Sequence, residues 1–160
     1  MVNMCVQIDT TRSVASQILR HRSFSFQEFS QRYAQVVNTP SLPNFRRQDT
    51  SNRQNSIDDL NEYTQQEFQI RTQDLFDQSL TLYNEMLAAG VAKECARDVL
   101  PLSTPTKLYM NGTLRSWLHY TALRCANGTQ YEHQLIATGV KQLLIQQFPL
   151  VSQAMWPVEK

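Results

Sequence analysis

Cationic and hydroxyl side chains are concentrated between Arg20 and Arg32, where Arg20-His21-Arg22 is followed by Glu28, Ser30 and Arg32. Guanidinium groups grip phosphate or carboxylate oxygens through paired hydrogen bonds, and a serine hydroxyl can complete such an anion pocket. A carboxylate beside them can accept from a sugar hydroxyl or a neighbouring arginine. The stretch is therefore a candidate phosphate site. The alternative is a helix that simply ends in basic residues, which the helix dipole favours by up to about 1 kcal/mol.

A second set of candidate residues lies on a predicted helix near position 120. Arg115 and His119 are four positions apart and share one helical face. Arg124 is nine positions from Arg115, which at 3.6 residues per turn places it on the opposite side. Such a helix presents side chains to two different binding regions. In an oligomer these regions can belong to two active sites. The alternative is a solvent-exposed face opposite an apolar stripe of Leu114, Trp117, Leu118, Thr121, Ala122 and Cys125.

The elements that position the first set begin with a half-buried strand, predicted from the alternation of apolar residues over Val2 to Ile8. Thr10 or Thr11 can then cap a helix that runs to about Arg20. Phe24 to Tyr33 reads as a structured loop that leads into an extended stretch, Tyr33 to Val37. Prolines then open a polar loop over residues 40–56, which is either mobile or a functional lid.

Helical periodicity dominates the rest of the chain. The pattern predicts helices over 57–89, 91–98, 113–126 and 130–148, with Gly90 and Pro101 as stop signals. Strands are expected only before the polar loop. The sequence therefore predicts a single domain over residues 1–160, with a helix-rich α+β fold and a small sheet.

The composition argues against several classes of protein. The chain has 160 residues and a net charge of +1, which argues against bulk binding to nucleic acid or to an anionic membrane. No apolar run is long enough for a membrane-spanning helix. Arginines outnumber lysines 11 to 4, which favours discrete anion pockets, although ordinary surface arginines explain the same count.

The three cysteines, Cys5, Cys95 and Cys125, are odd in number and scattered. They suit a reducing cytoplasm and exclude a disulfide framework or a CxxC zinc site. Cys125 is the tempting nucleophile because a neighbouring cation lowers a thiol pKa, but its place on the apolar stripe favours a packing role. His133 with Glu132 lacks the spacing of a zinc motif, so no metal is expected. None of the glycines forms a phosphate-binding loop.

The spacing Arg20-His21-Arg22, seven residues, then Ser30 is the RHRx7S signature of the flavin-dependent thymidylate synthases, the ThyX family, and the whole run from Gln17 to Tyr33 resembles that family's central block. Residues 96–101, 111–124 and 127–133 resemble further blocks of the family in the same order. The resemblance covers nearly the whole chain and implies the ThyX fold, assembled as a homotetramer with shared active sites.

The activity that this resemblance implies is reductive methylation of dUMP to dTMP. Methylenetetrahydrofolate donates the carbon, and NADPH reduces a bound FAD. Arg124 matches the arginine that promotes ionisation at uracil N3, and a permanently charged guanidinium suits that role. A hydride from reduced flavin removes the need for an enzyme nucleophile at uracil C6.

The resemblance also assigns binding residues position by position. Those implied for dUMP are Gln17, Arg20, Glu28, Phe29, Ser30, Gln31, Arg32, Arg97 and Arg124. Those implied for FAD are Arg20, His21, Arg22, Glu28, Thr113, Leu114, Arg115 and His119. Several relatives carry asparagine where this chain has Thr113 or His119.

Members of the family carry a further segment before the strand at Val2 to Ile8, and it supplies flavin and folate contacts. The resemblance therefore implies an N-terminally truncated version of the fold, which binds dUMP better than FAD. The alternative function is a non-catalytic or degenerate nucleotide-binding fragment of the family. A helical interaction protein with surface arginines is the third possibility.

Overall fold

The computed structural model describes residues 2–157. Its elements in chain order are β1 (Asn3–Thr11), α1 (Arg12–Ile18), β2 (Ser25–Glu28), β3 (Arg47–Gln48), β4 (Ser56–Ile57), α2 (Glu62–Ala88), α3 (Lys93–Ala96), a 3-10 turn (Arg97–Val99), β5 (Pro105–Thr113), α4 (Leu114–Arg124), α5 (Tyr131–Gln147) and α6 (Pro149–Met155). The predicted helix-rich α+β fold is confirmed. None of the helices within residues 2–157 has the length and apolar composition needed to cross a membrane.

The main sheet has three antiparallel strands in the order β1–β5–β2. Its central strand, β5, was not predicted, because strands were expected only before the polar loop. Its sequence nevertheless alternates as a half-buried strand does: Leu108 and Met110 are buried, whereas Lys107 and Tyr109 are exposed. β5 is nine residues long, but Thr106 and Gly112 share its buried face with Leu108 and Met110, so its apolar alternation is weak in the sequence.

The segment after α1 also differs from its prediction. Phe24 to Tyr33 was expected to be a loop, but β2 forms within it and pairs with β5, so that Phe26 lies opposite Met110. Tyr33 to Val37, expected to be extended, forms no strand in the structure. There the backbone N–H of Val36 donates to the buried hydroxyl of Tyr83 on α2.

The core lies between one face of the sheet and the helices α1, α4 and α5. Ile8 and Leu108 are opposite each other on adjacent strands, and the cluster around them includes Val14, Ile18, Met110, Trp117, Tyr120, Ala137, Val140 and Leu144. Burying this many large side chains fixes the helices against the sheet. It therefore fixes the residues at the ends of α1 and α4, where the candidate site lies.

The polar loop over 40–56 contains a small hairpin, in which β3 pairs with β4. Asp49 organises its tip by accepting hydrogen bonds from Ser51, Asn52 and Asn55. These bonds, led by the side-chain and backbone donors of Ser51, hold the pKa of Asp49 well below its usual range. The segment is therefore ordered by its own side chains.

The helices lie where the periodicity placed them, with shifted ends. α2 begins at Glu62, because Asn61 caps it by accepting from the backbone N–H groups of Tyr63 and Thr64. Thr113 caps α4 in the same way, accepting from the N–H of Ser116. The last predicted helix, 130–148, is confirmed as α5, and a further helix that was not predicted, α6, begins at Pro149. Ala122, placed on the apolar stripe, is exposed.

Candidate active site

Arg124, the last residue of α4, is hydrogen-bonded directly to the Arg20-His21-Arg22 segment. Its Nε donates to Nε2 of His21 over 2.9 Å. An accepting ring nitrogen carries no proton, so His21 is neutral and its proton is on Nδ1. Burial, the Arg124 charge and nearby His119 all lower the pKa of His21, which agrees with this state. Within residues 2–157 the two terminal nitrogens of Arg124 have no hydrogen-bond acceptor, so they are available to a ligand.

The Arg124–His21 pair rests on two buried side chains that the sequence did not indicate. The Tyr120 ring lies 5.0 Å from the His21 ring, edge to face. The Tyr120 hydroxyl is 3.1 Å from Nε2 of His133, whose side chain is fully buried. Burial first, then the charges of Arg124 and His21, lowers the pKa of His133 to about 4. Tyr120 and His133, which pack beneath the Arg124–His21 pair, are therefore uncharged at neutral pH.

Several arginines without a carboxylate partner follow α1 or lie on α4. Six of the eleven arginines have a carboxylate oxygen within 4.0 Å. In the part of the chain that the structure describes, the five that do not are Arg20, Arg22, Arg53, Arg115 and Arg124. Four of these five follow α1 or lie on α4. Arg20, Arg22 and Arg124 belong to or adjoin the pair with His21, and such uncompensated guanidinium groups favour an anionic ligand there, whereas Arg115 lies at the start of α4 on its opposite side.

Two of the residues predicted to contact a flavin line one cavity. Arg22 and Thr113 border a cavity of about 360 Å³ between the α1–β2 connection and the end of β5. Arg115 and His119 are both exposed on α4, on the face that their four-residue spacing predicted them to share. The side chain of Leu114 is partly buried against the core.

The remaining predicted nucleotide contacts lie at the other end of α1. Glu28, the last residue of β2, accepts from Nη1 of Arg12 over 2.7 Å and from the Thr106 hydroxyl over 3.0 Å. Arg12, Gln31 and Arg97 line one cavity of about 250 Å³. Gln31 is buried, and its amide nitrogen has no hydrogen-bond partner within residues 2–157.

The other residues of the loop that follows Glu28 are more exposed to solvent than Gln31. Phe29 is exposed and Ser30 is half-buried. Arg32 donates from Nε and Nη2 to one oxygen of Glu94, in an ion pair that is exposed on both sides. The structure therefore brings Glu28, Gln31 and Arg97 to one region, with Arg32 held at its edge.

The predicted site residues thus form two groups at opposite ends of α1. Gln17, Arg20, His21 and Arg124 lie at its C-terminal end, and the group that contains Glu28 lies at its N-terminal end. Seven helical residues separate the ends by about 10 Å. No hydrogen bond or ion pair within residues 2–157 joins the two groups.

Gln17 belongs to a chain of polar contacts that reaches the polar hairpin. Its side chain bonds to Gln130, and Gln130 donates to Glu132 over 2.9 Å. Glu132 pairs with the largely buried Arg46 at 2.8 Å. Burial alone would raise the pKa of Glu132, but the hydrogen bonds from Gln130 and Arg46 outweigh it and the pKa is lowered. Arg46 and Gln130 were not predicted as site residues, because their roles depend on contacts between segments that are distant in the sequence.

The cysteines occupy unremarkable positions. Cys5 and Cys95 are exposed, and Cys125 is half-buried against the core, as its place on the apolar stripe predicted. All three are free thiols. Within residues 2–157 no three histidine, cysteine or carboxylate side chains are arranged to hold a metal ion. The expectation that the protein uses no metal stays a prediction.

This fold and these residues define a family. The sequence model described as "Thymidylate synthase complementing protein" matches residues 1–150, and the chain belongs to that family. It is 51% identical over 152 residues to the probable flavin-dependent thymidylate synthase of Paramecium bursaria Chlorella virus 1, covering 95% of this chain and 70% of that protein. It is 50% identical over 155 residues to the flavin-dependent thymidylate synthase of Synechocystis, covering 97% of this chain and 72% of that protein.

Solved structures share the fold. The UMP/dUMP methylase PolB from Streptomyces cacaoi, bound with 5-Br UMP, has a TM-score of 0.81 at 22% identity, covering 96% of this chain and 73% of that one. The same protein bound with 5-Br dUMP has a TM-score of 0.84 at 22% identity, covering 96% and 70%. At this identity the likeness shows the fold alone.

Proposed function

We propose that this chain is a flavin-dependent thymidylate synthase, a methyltransferase that converts dUMP to dTMP. Family membership and the names of relatives at about half identity support the activity. The observation that carries it is the Arg124–His21 pair. A guanidinium is held through Nε by a neutral imidazole, so that its two terminal nitrogens stay available in a region of uncompensated positive charge.

Arg124 acts on the uracil ring. Its terminal nitrogens donate to a uracil carbonyl oxygen and stabilise the negative charge that forms there when N3 loses its proton. Because His21 and Tyr120 fix the guanidinium beforehand, little reorganisation is needed as the charge develops. Removing a preorganised donor of this kind typically slows an enzyme about 100- to 1000-fold.

The residues at the C-terminal end of α1 and on α4 fit FAD. A dinucleotide carries a diphosphate, and Arg20, Arg22 and Arg115 offer guanidinium groups with no carboxylate partner in the described part of the chain. Thr113, Leu114, His119 and His21 would complete the set of residues that holds the cofactor. When bound, FAD supplies the electrons that reduce the transferred carbon to a methyl group. NADPH and methylenetetrahydrofolate are the co-substrates.

The dUMP site combines the two groups described above. Gln17, Arg20 and Arg124 hold the base side of the nucleotide, and Arg97 with residues 28–32 holds its sugar and phosphate. The two groups lie at opposite ends of α1, and no hydrogen bond or ion pair within residues 2–157 joins them, so different copies of the chain can supply the two ends of one nucleotide site. We therefore propose a homotetramer with shared active sites.

The cellular setting follows from charge and cysteine chemistry. Three free thiols, two of them exposed, suit a reducing cytoplasm. A net charge of +1 gives no general attraction to nucleic acid or to an anionic membrane, so neither is proposed as a partner.

The direct test supplies the purified chain with dUMP, methylenetetrahydrofolate, FAD and NADPH and follows dTMP by mass spectrometry. Formation of dTMP that stops when any one component is omitted would support the proposal. A separate titration of dUMP measures binding. Saturable dUMP binding with no dTMP would instead support the non-catalytic alternative, and neither binding nor product would contradict both.

A further inference from the structure

The carboxylate of Glu28 is held by two residues that lie outside every family block recognised in the sequence. Nη1 of Arg12 and the hydroxyl of Thr106 both donate to the same oxygen, Oε1, over 2.7 and 3.0 Å. A charged donor at 2.7 Å makes a strong hydrogen bond. Oε2 accepts no hydrogen bond from any donor within residues 2–157.

Both donors are anchored by the main chain. Arg12 is the first residue of α1, and its backbone N–H donates to the carbonyl of Thr104 over 3.0 Å. Thr106 lies on the central strand and is only 6% exposed. Glu28 itself pairs with Leu108 on the same strand. Three elements, α1, β2 and β5, therefore converge on one carboxylate oxygen.

The burial of this ion pair separates it from the ordinary surface pairs of the protein. The side chains of Arg12 and Glu28 are 35% and 19% exposed, whereas those of Arg32 and Glu94 are 56% and 54% exposed. Water screens an exposed pair and leaves it loosely held, while a partly shielded pair with a second donor holds its geometry better. Arg12 also borders the cavity that contains Gln31 and Arg97.

We propose that Arg12 is a positioning residue for Glu28. By occupying Oε1 together with Thr106, it keeps Oε2 as the acceptor for a hydroxyl group of the bound ligand. Arg12 itself does not contact the ligand. This inference rests on the proposed function, because it takes Glu28 as a ligand contact.

The test is a double-mutant cycle that combines Arg12→Gln with Glu28→Gln. For each variant, kcat and KM for dUMP, the dissociation constant of dUMP and the midpoint of thermal unfolding are measured. Arg12→Gln and Glu28→Gln should each lower kcat/KM for dUMP about tenfold. In the Glu28→Gln background, Arg12→Gln should cost less than about twofold, because its target has already lost its charge. Arg12→Lys should recover most of the loss.

Two further variants separate positioning from stability. Thr106→Val removes the second donor without changing a charge and should lower kcat/KM two- to fivefold. If Arg12→Gln does not fold, this variant still tests the proposal. Arg71→Gln breaks the exposed ion pair with Glu67 on α2 and should leave kcat/KM unchanged. Full additivity of the two main substitutions would mean that Arg12 acts independently of Glu28 and would overturn the proposal.

Failure of the proposed function is recognised separately. If the unmodified chain forms no dTMP and binds no dUMP, the function is wrong before any variant is compared. If the unmodified chain is active but both Arg12→Gln and Thr106→Val match it, the function stands and the positioning role is wrong.

Discussion

The ring of Phe24 lies directly over Gly112, so closely that a Cβ at position 112 would be 2.4 Å from Cδ1 of Phe24. Phe24 is in turn packed edge to face against Trp117, with 4.8 Å between the ring centroids. This contact seats the α1–β2 connection, which carries His21 and Arg22, against the end of β5 and the start of α4. The absence of a side chain at Gly112 is therefore part of how the site is assembled.

Gly112→Ala should destabilise the fold by about 1–3 kcal/mol, because the added methyl group must displace a ring that Trp117 holds in place. Gly139→Ala is the matched control: it lies within α5 with no atom within 4 Å of the new Cβ, and should stabilise the protein by up to about 1 kcal/mol. Chemical denaturation of both variants measures the difference. Equal stability of the two would contradict the close packing of Phe24.

Arg124→Ala should lower turnover about 100-fold or more while leaving the fold intact. Arg124→Lys keeps the charge but loses the Nε donor to His21, so it should recover only a small part of the rate. Turnover, dUMP affinity and thermal midpoint are measured together. A wild-type rate in Arg124→Ala would show that the assigned role is wrong.

Replacing Cys5, Cys95 and Cys125 together with alanine should leave dTMP synthesis within about twofold. The two exposed thiols have no catalytic partner, and Cys125 contributes packing, whose loss costs about 1 kcal/mol of stability. Turnover and unfolding curves are compared with those of the unmodified chain. A covalent nucleotide adduct at Cys125 would reverse this conclusion.

Light scattering should give the mass of a tetramer, and mixing two inactive variants should restore activity. Arg97→Ala disables the group at one end of α1 and Arg124→Ala the group at the other. If different copies supply the groups, an equal mixture of reassembled subunits has about one quarter of its sites intact. No recovery after confirmed subunit exchange would place both groups within one chain.

Stability should fall as the pH is lowered from about 6.5 towards 4. His133 has a lower pKa in the folded chain than in the unfolded chain, so the unfolded chain binds more protons in this range, which lowers its free energy relative to that of the folded chain. The expected contribution of His133 is about 1–3 kcal/mol. His133→Gln should flatten the pH dependence of the unfolding free energy between pH 6.5 and 4.5. An unchanged slope would show that His133 titrates normally.

The local signals in the sequence were sufficient for most helices and for the motif residues. β1 and α4 could be predicted because apolar spacing and a threonine cap are properties of residues that are close together in the sequence. β5 was missed because only two of its buried residues, Leu108 and Met110, are large and apolar, and because its burial depends on pairing with β1, from the other end of the chain. A single sequence carries no record of that pairing.

The same reason explains which site residues were missed. His21 and Arg124 were marked by a family resemblance, but Arg12, Thr106 and His133 act through partners that the fold brings together. The hydrogen bond from Thr106 to Glu28 spans 78 positions. Types and spacing identify residues that touch a ligand more readily than residues that hold those in place.

Opening of the β3–β4 hairpin is coupled to the N-terminal end of α5. Arg46 lies against the Tyr131 ring, pairs with Glu132 and donates to Ser56 on β4, so the hairpin cannot lift away without breaking the ion pair between Glu132 and the largely buried Arg46. The hairpin and the first turn of α5 therefore unfold locally as one cooperative unit. Amide hydrogen exchange at residues 46–57 and 131–134 would speed up together, well below the free energy of global unfolding.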